Sequence, residues 1–162
     1  DRSTNLDPDD AMTWASVRAQ LVTIVEGTTV PAKTRGKSPA FKYAPDANDV
    51  ALPFTRGFWV SLSSMSVRGP TPIGFAYRQR DMVELSVVYH RDFSPRDLDD
   101  CIAADYREIT KRLANPSTWG RPTSTIIALS ESASDDQFVS SIDDVDGARI
   151  LRVSFPVLHE VT

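Results

Sequence analysis

The stretch from Met82 to Asn115 constrains this chain most, because it reads as a strand, a tight turn and a helix joined with almost no slack. Val83, Leu85, Val87 and Tyr89 alternate with Glu84, Ser86, Val88 and His90. A period of two with one wholly apolar set describes a strand whose one face is buried. Ser94 then offers a side-chain oxygen to a helix N-terminus, Pro95 takes the first helical position, and Asp97 puts a negative charge in the first turn. Leu98, Ile102, Tyr106, Ile109 and Leu113 follow at helical spacing and form one apolar stripe. Asn115-Pro116 ends the helix, since a residue before proline is pushed out of the helical region. A strand and helix joined by so few residues should pack face to face. The unit is a floor for a domain and carries no chemistry of its own.

The rest of the chain is read around that floor. Residues 1–12 form an acidic, polar N-terminal arm, either extended or frayed. Residues 13–162 read as a single domain. Asp10 or Thr13 can cap a first helix running to about Glu26, with Trp14, Val17, Leu21 and Ile24 on its apolar side and Gly27 placed to end it in the left-handed conformation. From Thr28 to Thr55 the periodicity dissolves among Pro31, Pro39, Pro45 and Pro53, and Lys33, Arg35, Lys37 and Lys42 make the segment basic. So long a stretch without a pattern is uncommon inside a compact domain, and it reads as an exposed contact loop in which Phe41-Lys42-Tyr43 can form a short extended piece. Arg56 to Val67 is a strand with Phe58, Val60 and Leu62 on one face and Trp59, Ser61, Ser63 and Met65 on the other. Phe75 to Arg80 begins the next strand or a hairpin into Met82–His90. Thr125–Leu129 is a short strand. Ser130 to Ala148 is an acidic loop, with Glu131, Asp135, Asp136, Asp143, Asp144 and Asp146 and no base, and Gly147 turns the chain. In the last strand Leu151, Val153, Phe155 and Val157 alternate with Arg152, Ser154, Pro156 and Leu158; Pro156 points to a sheet edge or a bulge. The expected fold is α+β: a mainly antiparallel sheet covered on one face by two helices, with the long basic loop 28–55. Trp14, Leu21, Val60, Leu85, Val87, Ile102, Ile109, Leu113, Val153 and Phe155 should be mostly buried.

Composition supports a globular chain and little else. Of 162 residues, 41% are hydrophobic and 25% charged, which excludes wholesale disorder. No apolar run approaches the ~20 residues a membrane helix needs, so no membrane partner is expected. The net charge of −4 argues against general affinity for nucleic acid. Cys101 is the one cysteine; lying beside Ile102 on the helix, it reads as a small buried hydrophobe. His90 and His159 have no metal-ligand spacing around them, and there is neither a nucleophile elbow nor a glycine-rich phosphate loop. Asp135-Asp136 and Asp143-Asp144 lack the spacing of a calcium loop. No catalytic, metal or cofactor site is therefore expected. What stands out is charge segregation: one long basic segment and one long acidic one. Opposite charges on two separate segments pair neighbouring copies head to tail, pair within one chain, or only solubilise it. The candidate contact residues are Lys33, Arg35, Lys37, Phe41, Lys42 and Tyr43 on one side and Glu131, Asp135, Asp136, Asp143 and Asp144 on the other.

From Thr13 to Val161 the order of elements resembles the tail terminator proteins of long-tailed bacteriophages. The likeness lies in an N-terminal helix (Trp14 to Glu26), a meandering loop and an aromatic-rich strand (Arg56-Gly57-Phe58-Trp59-Val60). A strand leading into an amphipathic helix (Val83 to Leu113) and two closing strands complete it, the last from Arg149 to Val161 with a near-terminal His. The loop 28–55 is longer than that pattern needs. The resemblance implies a structural virion protein without catalytic residues. It implies a hexameric ring at the head-proximal end of the tail tube, contacting tail tube protein and a neck or head-closure protein. DNA would pass through its lumen without sequence-specific binding. Such a ring would be found in the tail-neck region of the virion after assembly in the host cytoplasm. Two other readings stay open: another neck part, such as a head-closure or connector protein, and a small ligand-binding or enzymatic α+β domain.

Overall fold

The computed structural model describes residues 14–29, 40–44, 56–68, 77–90, 95–119, 126–127, 138–145 and 147–161. In chain order these form α1 (Trp14–Glu26), β1 (Lys42–Tyr43), β2 (Gly57–Arg68), β3 (Tyr77–His90), α2 (Pro95–Ala114), a 3₁₀ turn (Pro116–Trp119), β4 (Ile126–Ile127), β5 (Val139–Val145) and β6 (Ala148–Val161). The strand of the predicted strand–helix unit, β3, is the spine of the sheet. It pairs antiparallel with β2 on one side and, over its whole length, with β6 on the other. Strand β1 runs parallel beside the start of β2, and β5 and β4 share the outer side of β6, giving six strands. This is the expected α+β fold with a mainly antiparallel sheet.

Register explains where the core sits. Residues directly opposite across an antiparallel pair point to the same face. Phe58, Val60 and Leu62 lie opposite Val87, Leu85 and Val83, which lie opposite Leu151, Val153 and Phe155. Both helices cover this face. Val17, Leu21, Ile24 and Val25 of α1 and Leu98, Ile102, Ile109 and Leu113 of α2 join the strand residues in one buried cluster. Each large aliphatic side chain so buried contributes about 1.5–3 kcal/mol. Of the ten expected core residues, eight are buried, while Trp14 and Val60 are partly buried against the cluster. On the opposite face Trp59, Val88, Ala148 and Ile150 form a smaller cluster at one end of the sheet.

The two helices are tied by their ends. The Arg112 guanidinium donates from Nε to the carbonyl of Ile24 at 3.1 Å, and the Thr28 hydroxyl donates to the same carbonyl at 3.0 Å, so the last turn of α1 is satisfied by side chains. Gly27 is not in the left-handed conformation expected of it; among the described residues only Arg56 and Gly147 have positive φ. Its value lies in space: a Cβ there would sit 3.1 Å from an Arg112 guanidinium nitrogen. At the end of α2, Trp119 donates from its indole to the Leu113 carbonyl at 2.8 Å. Gly147, at φ +77°, turns the chain between the paired residues Val145 and Ala148, where the Asp-Gly sequence suits a two-residue hairpin turn.

Three other expectations are corrected. Strand β6 is internal, not at an edge. Pro156 is tolerated because β5 pairs only up to Ser154 and β4 only from Leu158, so among the described residues nothing lies against the outer side of β6 at Pro156. The register between β2 and β3 slips between Leu62 and Ser64, which leaves Ser63 as the extra residue of a bulge. The alternation of β2 therefore changes phase, and Met65, opposite Asp81, lies on the helix-covered face rather than on the face of Trp59. Finally, the acidic segment 130–148 is not loop throughout, since residues 139–145 are strand β5.

Candidate functional site

The residues expected to meet a neighbouring subunit divide into three groups. Lys33, Arg35, Lys37, Glu131, Asp135 and Asp136 lie outside the described residues. Phe41, Lys42 and Tyr43 are at or in β1. Phe41 is 3% exposed and belongs to the core, Lys42 is exposed, and Tyr43 packs its ring against Phe58 with centroids 5.6 Å apart. The Tyr43 amide donates to a carboxylate oxygen of Glu26 at 3.2 Å, which fastens β1 to the end of α1. Asp143 and Asp144 sit in β5 and pair within the chain. Arg152 donates from Nε to Asp143 at 2.6 Å, and Arg149 lies 3.1 Å from Asp144. The arginines that meet these two acids belong to β6 and not to the basic segment 28–55. Arg152 also reaches Glu84 at 3.4 Å and the Ser86 hydroxyl at 3.2 Å, making a partly exposed network on the open face of the sheet.

A second constellation escaped the sequence. Arg56 stands in the left-handed region, φ +70°, just before β2. Its guanidinium donates twice to Asp105 of α2, from Nε at 2.7 Å and from a terminal nitrogen at 3.1 Å. The Tyr89 hydroxyl donates to the same carboxylate at 2.7 Å, and the Cys101 sulfur lies 3.1 Å from Arg56. All four residues have no exposed surface. The Arg56 guanidinium also lies over the Phe41 ring, 5.6 Å from its centroid. Its backbone is used as fully: the amide donates to Val88 at 2.7 Å and the carbonyl accepts from Lys42 at 3.1 Å. One residue thus links β1, β3 and α2 at the root of β2. The signal was a carboxylate on the apolar stripe of α2: Asp105 falls four residues after Cys101 and four before Ile109. At mid-stripe it is Asp105 that is buried and Tyr106 that is partly exposed.

The electrostatics favour the protonated thiol and phenol in this cluster. Burial, then the nearby Asp105 charge, pushes the Cys101 thiol up to about 11, so it carries its proton at neutral pH. Burial and Asp105 likewise hold the Tyr89 phenol well above its ordinary range. Burial alone would lower the Arg56 value, but the hydrogen bond and charge of Asp105 outweigh it, so the guanidinium stays charged. A bidentate pair whose carboxylate also accepts a phenol is a satisfied structural link. Among the described residues no group of three or more His, Cys, Asp and Glu side chains is placed to hold a metal ion, and no described helix is long and apolar enough to cross a membrane.

The sheet itself offers the other candidate surface. Strand β1 covers only Gly57 and Phe58 of β2, and among the described residues β2 has no outer neighbour from Trp59 to Arg68. The Phe58 carbonyl accepts from Ala44 at 2.7 Å, so it points outward. By alternation the backbone groups of Val60 and Leu62 point outward too. On the far side β5 pairs only with β6, and its own outer edge is open among the described residues. Among the described residues the exposed large apolar side chains are Met65, Val139 and Ile142, all on these two edge strands. No model of a known protein family matches the chain, and no curated protein matches it.

Proposed function

We propose that this chain is a structural subunit, not an enzyme, and that it works as a tail terminator of a long-tailed bacteriophage. In this reading copies close into a hexameric ring that caps the tail tube and joins it to the neck or head-closure protein. DNA passes through the lumen without base-specific contacts, and the ring resides in the tail-neck region of the virion. The observation that carries the reading is the order of elements: helix, long basic segment, hairpin, amphipathic helix and closing strands, with both helices on one face of the sheet. The two edges of the sheet, β2 and β5, which have no outer neighbour among the described residues beyond β1, support it, because a head-to-tail ring needs two different contact surfaces per subunit. The buried cluster supports a structural role as well, since its thiol is protonated and its ionic groups satisfy one another inside the core.

Solution mass tests the reading. Light scattering should give either one species with the mass of six subunits, or a monomer that assembles only when purified tail tubes are added. A monomer that ignores tail tubes and instead binds small molecules would replace it with the ligand-binding alternative. Binding to a portal ring in preference to tail tubes would replace it with another neck component.

A further inference from the structure

We infer that Arg56 is a conformational latch that makes the seating of α2 and the attachment of β1 one event. Strand β1 comes away from the sheet when the Arg56–Asp105 pair opens, and the pair opens when β1 comes away. The coupling lies within one chain and holds whether or not copies close into a ring.

Three observations meet in this residue. First, its backbone is strained. At φ +70° it occupies a region that glycine enters freely and a residue with a Cβ does not, and the neighbouring Gly57 is not the residue placed there. Such a conformation persists only where the surroundings over-determine it. Second, the side chain and the backbone of Arg56 hold different elements. The guanidinium is fixed to Asp105 and Cys101 of α2, while the amide donates to Val88 of β3 and the carbonyl accepts from Lys42 of β1. Amide and carbonyl serve both partners while φ stays positive. Once the pair to Asp105 opens, the backbone relaxes towards negative φ and the carbonyl turns away from Lys42. Third, β1 is fastened at the same point. It spans two residues, and Phe41 just before it is buried with its ring under the guanidinium, 5.6 Å from centroid to Arg56. Drawing β1 off takes that ring away and lets water reach the ion pair. Short elements open at low free energy, and here the opening is tied to a helix. Linkage is reciprocal: whatever draws α2 off the sheet loosens β1, and whatever displaces β1 loosens α2. Release of β1 uncovers the Arg56 and Phe58 carbonyls, which now accept from Lys42 and Ala44.

Native-state hydrogen exchange and thiol alkylation on the full chain test the latch. Cys101 is the one cysteine, so its reaction with iodoacetamide reports opening at α2, while the Lys42 and Ala44 amides report opening at β1. The two should give the same opening equilibrium, and a larger one than the Val83 and Leu85 amides inside the sheet. Asp105→Asn, on α2, should speed exchange at Lys42 and Ala44 about tenfold or more. Phe41→Leu, beside β1, removes the ring under the guanidinium and should speed Cys101 alkylation about threefold or more. Phe155→Leu is the control: it lies opposite Val83, several positions along β6 from Ile150, the partner of Val88. It should speed exchange at Val83 and Leu85 and leave Lys42, Ala44 and Cys101 within about twofold of the unaltered chain. Unequal opening at β1 and Cys101 in the unaltered chain overturns the latch. So do β1 amides that ignore Asp105→Asn, or a thiol that ignores Phe41→Leu. Equal acceleration of every site by Phe155→Leu also overturns it, because β1 and α2 would then open only by global unfolding. If Asp105→Asn does not fold, the unaltered chain, Phe41→Leu and Phe155→Leu decide.

Discussion

Arginine and carboxylate meet in two places in this protein, under opposite conditions. On the helix-covered side Arg56 and Asp105 are sealed in the core, joined to Tyr89 and Cys101 and excluded from water. On the open face Arg152 reaches Asp143 and Glu84 with its partners partly in solvent. The bond geometry is similar; the consequences are not. A buried pair has lost its hydration, so removing one partner strands a charge in the core. An exposed pair exchanges partners with water and salt, and such pairs contribute about 0–1 kcal/mol. The buried pair therefore dictates how elements meet, while the exposed network tunes a surface.

The contrast is sharpest on deleting a carboxylate. Asp105→Ala leaves the Arg56 guanidinium without its counter-charge and should destabilise the fold by about 3–5 kcal/mol in urea denaturation. Arg56→Met combined with Asp105→Leu should recover most of that loss, because no lone charge remains, although the Tyr89 hydroxyl still loses its acceptor. If the double variant is as unstable as the single one, the cost lies in packing and not in the stranded charge. Ile109→Ala provides the apolar reference on the same helix. Ile109 is fully buried, and its truncation should cost about 2–5 kcal/mol by the same measurement.

Alkaline pH also separates the two regions. The Cys101 thiol is raised from 9.0 to about 11 in the folded state, so above pH 9 the unfolded chain releases a proton that the folded chain keeps. The stabilisation is therefore fully present below pH 9 and is lost as pH rises through about 11, on the order of 2 kcal/mol. Tyr89, raised in the same direction, extends the loss to higher pH. A Cys101→Ala variant should show a shallower fall in stability between pH 9 and 11; an unchanged slope would remove the thiol from the account. The smallest effect belongs to the open face. Arg152→Ala should shift stability by about 1 kcal/mol or less, and that shift should shrink in high salt. A loss matching that of Asp105→Ala would erase the distinction between the two sites.

Much of this architecture was legible from local pattern. Val83, Leu85, Val87 and Tyr89 form the buried face of β3, and α2 starts at Pro95 and ends at Ala114, before Asn115-Pro116. The candidate contact residues were less legible. Phe41 and Tyr43 looked like loop aromatics, yet the arrival of β1 beside β2 buries the first and partly buries the second. Asp143 and Asp144 looked like loop acids because a strand with both faces polar, as β5 nearly is, has no alternation to reveal it.

By itself, then, the sequence determined the two helices, the long strands and the face each presents to the core. Those depend on periodicities of two and 3.6 that operate within a few residues. Only the tertiary structure decided that β6 lies inside the sheet and finds room for Pro156, and that a bulge at Ser63 carries Met65 to the helix-covered face. It alone brought Arg56 to Asp105, 49 residues away. These are questions of which elements become neighbours and in what register. Their answers come from burial and hydrogen bonding summed over the whole fold, and no short window of sequence contains them.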